Sequence, residues 1–77
     1  MGDLIYVKGV APEDIQVGDI ITFRPPAEYL SGILITHRVV EVVYDTNHLY
    51  FRTKGDNNPT VDPWKVSSRD IIGKQTA

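Results

Sequence analysis

His37, Asp56 and Asp62 are the residues whose types could do chemistry together in this chain. A carboxylate beside a histidine accepts the proton of one ring nitrogen and fixes the tautomer. The other nitrogen is then free to take and return a proton. A third group, a nucleophile, would make the pair into the base and orienter of a covalent hydrolase. The serines are Ser31, Ser67 and Ser68. Ser31 precedes His37 by six residues, a separation of roughly 20 Å on an extended chain. Ser67-Ser68 has the composition of a turn cap. The residues alone therefore give an acid–base pair without a nucleophile. The structural alternative, a half-buried His37 satisfied by backbone or water, stands level with it on periodicity alone. His48 lies in Asp45-Thr-Asn-His48 and reads as a solvated loop residue. Counted as metal ligands, His37, His48, Asp56 and Asp62 have no recognised spacing, and there is no cysteine to add a thiolate. No metal and no cofactor are expected.

The elements that must position these groups are short β-like runs. Ile33 to Tyr44 is the longest, and it carries His37 on a face with Ile33, Ile35, Val39 and Val43, interrupted only by Glu41. Leu49 to Lys54 follows after a turn, and Gly55-Asp-Asn-Asn58 closes it. A hairpin turn centred between Thr46 and Asn47 sets Tyr44 against Leu49, Val42 against Phe51 and Val40 against Thr53. Continued without interruption, that register sets His37 against Asp56. A one-residue slip, for example a bulge at Gly55, would put the two on opposite faces. The expectation is that His37 meets an acid from the 56–62 segment.

Leu4 to Val7 and Ile20 to Arg24 read as two earlier strands, and Asp70 to Lys74 as a last one. Pro12 to Ile15 predicts a single helical turn. Pro25-Pro26 stops the second strand. Ala27 to Gly32 is a loop with Tyr29 and Leu30 as apolar contacts, Trp64 is a core anchor, Arg38 pairs with an acid or lies over an aromatic ring, and Gln75 to Ala77 fray. No window keeps a helical apolar period. The fold class is all-β: one small domain over residues 1–77, a coiled sheet or partial barrel.

Composition narrows the function classes. The 77 residues carry eight Lys+Arg against ten Asp+Glu, a net charge of −2. Without a basic patch there is little counterion release to drive nucleic-acid binding. No apolar run approaches the roughly 18 residues that span a bilayer, and no signal-peptide pattern precedes the first strand.

Several ordered segments resemble type I signal peptidase, in its archaeal and endoplasmic-reticulum branch. They are Gly2-Asp-Leu-Ile-Tyr-Val7, Val17-Gly-Asp-Ile-Ile21, Ile35-Thr-His-Arg-Val39, Thr53-Lys-Gly-Asp-Asn-Asn58, Asp62-Pro63 and Ile72-Gly-Lys74. In that branch the general base is a histidine in a His-Arg-Val context, where the bacterial branch uses lysine. The resemblance implies His37 as base, Asp62 as its orienter and Asp56 as a second functionally important acid. It implies a fold like the family's catalytic core and a membrane-anchored parent acting at the extracytoplasmic face. The substrates it implies are signal peptides of exported preproteins, cut after small residues. The family's serine lies in a Ser-Met-x-Pro type motif just ahead of the Gly-Asp-Leu strand. The 77 residues are thus expected to be a monomeric, inactive fragment of a serine endopeptidase. The alternative is a non-catalytic β-module, for binding or assembly, that shares the scaffold.

Overall fold

The computed structural model describes residues 3–5, 11–29 and 32–76. Among these residues six strands form one antiparallel sheet: β1 (Asp3–Ile5), β2 (Ile20–Phe23), β3 (Ile35–Asp45), β4 (His48–Lys54), β5 (Val66–Ser67) and β6 (Ile71–Thr76). Their spatial order is β1-β6-β2-β3-β4-β5, so the sheet is open and does not close into a barrel. The all-β expectation holds. Single 3-10 turns stand at Pro12–Asp14 and Ser68–Asp70. The first is the helical turn expected at that place, with proline at its start and acids favourable at its N-terminus.

The β3–β4 hairpin is the backbone of the sheet. Thr46 and Asn47 both have positive φ, at 45° and 65°, as the two central residues of a type I′ turn require. From the turn outward the register is the expected one, with Tyr44 against Leu49 and Val42 against Phe51. It then shifts by one residue between Val39 and Glu41, where Val40 is inserted as a bulge. Thr53 consequently faces Val39, not Val40. The bulge also changes which apolar residues share a face. Ile35, Val39 and Val42 pack into the core, while Val43 does not join it.

Ile15, Ile21, Phe23, Val39, Phe51 and Val66 are the buried core. Ile21 and Phe23 come from alternate positions of β2, and Ile35, Val42, Leu49, Trp64 and Ile71 pack around them. Burial of a side chain the size of Phe or Ile contributes roughly 1.5–3 kcal/mol. Trp64 covers one part of the core as expected, edge-on to Phe23 at 6.5 Å and tilted against Tyr29 at 5.6 Å.

Other boundaries move. β2 stops at Phe23 and β3 starts at Ile35. Gln75 and Thr76 do not fray. They extend β6, pairing with Leu4 and Asp3 of β1. The first strand is found over Asp3–Ile5, and its expected continuation through Tyr6 and Val7 falls outside the described residues, as do Leu30 and Ser31. The two-residue β5 was not anticipated; it lies against Tyr50 and Phe51.

Candidate functional site

His37 reaches the core side of the sheet because it alternates with Ile35 and Val39 along β3, opposite Ile21 on β2. Its ring stands edge-on to Phe23, with centroids 6.5 Å apart. This is an apolar wall, and a polar ring set against it needs a partner.

That partner is Asp62. Its Oδ2 lies 2.6 Å from His37 Nδ1. The carboxylate is nearly buried, at 7% side-chain exposure against 22% for His37. It is brought there by the turn after β4, in which the Asn58 amide donates to the Gly55 carbonyl at 3.0 Å. The chain then doubles back, and the Asp62 amide donates to the Thr53 carbonyl at 2.8 Å. Thr53, wholly buried on β4, also donates its hydroxyl to Asp62 Oδ2 at 2.7 Å. One carboxylate oxygen thus accepts from both Thr53 and His37. An ionised carboxylate offers only acceptors, so the proton of this contact sits on Nδ1, and the neutral form of the ring has its lone pair on Nε2.

Nothing among the described residues hydrogen-bonds Nε2. Gly55 lies against it. A Cβ at Gly55 would stand 3.0 Å from His37 Nε2, 3.3 Å from Cε1 and 2.9 Å from Asn58 Nδ2. Glycine is therefore required here by space. A cleft of about 390 Å³ has Thr36, His37, Arg38, Gly55, Asp56 and Asn58 among its lining residues.

Asp56 is not opposite His37, and the uninterrupted register is corrected here. The Val40 bulge slips the ladder by one residue, so Arg38 pairs with Lys54. Asp56 instead takes the Arg38 guanidinium in a fork, Nε to Oδ1 and Nη2 to Oδ2, each at 3.0 Å. Arg38 Nη1 donates further to the Gly18 carbonyl at 2.8 Å. The hydrogen bonds from Arg38 hold the Asp56 carboxyl below the usual carboxylate range, and those same bonds raise Arg38. Of the alternatives weighed for Arg38, pairing with an acid is the one found. The expected meeting of His37 with an acid of the 56–62 segment is made by Asp62.

The remaining candidates lie elsewhere. Ser67 faces Tyr50 on β4, and Ser67 and Ser68 line a separate cleft beside His48 and Tyr50. His48 is exposed, as expected, but it is the first residue of β4, paired with Asp45, and not a loop residue; it bonds the Thr46 carbonyl at 3.0 Å and stacks on Tyr50. Two residues of the site were not anticipated. Thr53 was hidden by the register error, because a slip of one residue turns a side chain to the other face. Gly55 was visible only as a turn residue and a possible bulge site, and the bulge stands at Val40 instead; its role depends on an imidazole distant in sequence.

No protein-family profile and no solved structure matches the chain. Curated relatives do. Signal peptidase I W of Bacillus subtilis (strain 168) is 38% identical over 76 residues, which are 97% of this chain and 38% of that protein. The signal peptidase complex catalytic subunit SEC11C of Homo sapiens and of Canis lupus familiaris is 30% identical over 82 residues, 95% of this chain and 41% of the relative. The chain therefore spans about two fifths of the length of the curated relatives it matches. Those similarities to signal peptidases run through nearly all of the chain's residues.

Proposed function

We propose that this chain supplies the general base and the orienting acid of a serine endopeptidase that removes signal peptides from exported preproteins. The observation that carries the reading is the 2.6 Å contact between His37 Nδ1 and the nearly buried Asp62 carboxylate. It leaves Nε2 as the basic nitrogen, beside a glycine that admits no side chain.

In this reading a serine hydroxyl stands at Nε2. His37 takes its proton as the oxygen attacks the scissile carbonyl and returns that proton to the departing amine. Asp62 holds the imidazole in its tautomer and stabilises the imidazolium, without itself taking the proton. Asp56 acts at one remove. Its fork with Arg38 ties the Gly55–Asn58 turn to β3 and, through the Gly18 carbonyl, to the residues before β2. The turn in question is the one that abuts Nε2.

The finer assignment is to the archaeal and endoplasmic-reticulum branch. It rests on the histidine of His37-Arg38-Val39 standing where a base is needed. The parent protein in this reading is membrane-anchored and works at the extracytoplasmic face. Among the described residues no helix is long and apolar enough to cross a membrane. In this reading the serine is that of the Ser-Met-x-Pro type motif that the resemblance implies; Ser67 and Ser68 line the other cleft. The 77 residues by themselves are accordingly expected to cleave nothing.

Cleavage of a preprotein with small residues before its cut site, by the gene product in which this chain lies, tests the proposal. Processing that His37→Ala and Asp62→Asn both abolish is the expected result. A gene product that processes the preprotein equally well with His37→Ala refutes it. One that processes nothing in its native form returns the chain to the binding-module class.

A further inference from the structure

Thr53 grips the acid at His37 Nδ1 twice. Its carbonyl takes the Asp62 amide at 2.8 Å and its hydroxyl donates to Asp62 Oδ2 at 2.7 Å. It is 0% exposed and sits in the ladder opposite Val39, which is equally buried. Its side chain therefore has no water with which to exchange this bond. The oxygen it holds is the one that receives His37 Nδ1.

We propose that Thr53 is a positioning residue for the His37–Asp62 pair, its hydroxyl fixing the carboxylate rotamer that keeps the proton of neutral His37 on Nδ1. A carboxylate can turn about its last torsion, which is broad and roughly two-fold. The amide bond to the Thr53 carbonyl fixes the Asp62 backbone but leaves that torsion free. The hydroxyl removes the freedom, because only one orientation sets Oδ2 between Thr53 Oγ1 and His37 Nδ1. A β-branched residue suits the task, since a threonine χ1 is itself restricted and here is packed on all sides. The inference rests on the base–orienter reading of the site for its functional meaning. The geometry it describes can be tested without any activity.

Heteronuclear NMR of the His37 ring nitrogens in the 77-residue chain reads the tautomer directly. Wild type and Thr53→Ser, which keeps the hydroxyl, are expected to show the neutral ring with its proton on Nδ1. Thr53→Val, nearly isosteric but without a donor, is expected to lose that preference and show the Nε2–H form alongside. A structural role alone would lower stability and leave the tautomer of the folded fraction unchanged. A folded Thr53→Val chain with the wild-type tautomer overturns the proposal. Should the valine variant not fold, the wild-type hydroxyl proton decides. It is expected as a slowly exchanging resonance with a nuclear Overhauser contact to the His37 Nδ1 proton, and exchange as fast as that of an exposed threonine overturns the proposal. A tautomer change in a chain whose parent cleaves no preprotein would sustain this inference while removing the peptidase reading. An unchanged tautomer in a chain whose parent is active would do the reverse.

Discussion

Replacing Gly55 with alanine adds one methyl group at the tightest point of the site. The new carbon would meet Asn58 Nδ2 at 2.9 Å and His37 Nε2 at 3.0 Å, both inside ordinary contact. The two neighbours differ in how they can yield. Asn58 is exposed and offers the end of a flexible side chain. His37 is held at Nδ1 by Asp62 and walled by Phe23. Relief must come largely from the imidazole, at the cost of its bond to Asp62. Overpacking of this kind costs about 1–3 kcal/mol. Gly55 does not have a positive φ, so the backbone accepts alanine and the unfolded chain gives back about 0.4–1 kcal/mol in entropy. The net expectation is a destabilisation of about 1–2 kcal/mol, read as a lowered urea midpoint with an unchanged slope. The same substitution in a His37→Ala background meets only Asn58 and should cost nothing or stabilise slightly. The double-mutant cycle then returns a coupling of about 1–3 kcal/mol. Equal cost in both backgrounds would refute the claim that Gly55 is there to make room for the imidazole.

The type I′ turn carries a β-branched residue at positive φ, Thr46. The pair Thr46→Asn with Asn47→Gly should stabilise the hairpin by about 1 kcal/mol, measured by thermal unfolding. Asp56→Asn should lose stability in a pH-dependent way. The native carboxyl is held below its ordinary range by Arg38, so its contribution is present above the ordinary carboxylate value and is lost as pH falls through the depressed one. The stability gap between wild type and Asp56→Asn should therefore close on acidification. Because both side chains are partly exposed, it should also narrow in high salt. In the full gene product, Asp62→Asn should lower kcat by a factor on the order of 10⁴, as loss of the orienting acid does in serine peptidase triads, with a much smaller effect on KM.

Strand and turn placement were legible because they rest on local signals. Val, Ile and Tyr runs punctuated by Pro25-Pro26, Thr46-Asn47 and Gly55–Asn58 locate β2, β3 and β4 within a residue or two. The face on which His37 lies was legible from its alternation with Ile35 and Val39. The Val40 bulge was not, because valine is an ordinary strand residue and nothing in its neighbours marks an insertion. That single residue decided which acid meets the histidine. Register arithmetic without it selected Asp56, while the resemblance pointed to Asp62, which is the acid found in contact. The extension of β6 through Thr76 and the short β5 depend on pairing with strands remote in sequence, a tertiary effect that no local pattern carries. Thr53 and Gly55 became meaningful only once the register was known.

In the proposed reading His37 acts as a base through Nε2 while Asp62 holds the other nitrogen. Chemical rescue tests it most directly. His37→Gly in the full gene product removes the ring and leaves a space beside Gly55 into which free imidazole can enter. Preprotein cleavage by this variant is predicted to be lost and to return in part as imidazole is added, while Asp62→Asn, which retains its own imidazole, gains nothing. Wild-type cleavage by His37→Gly without added imidazole would contradict the claim.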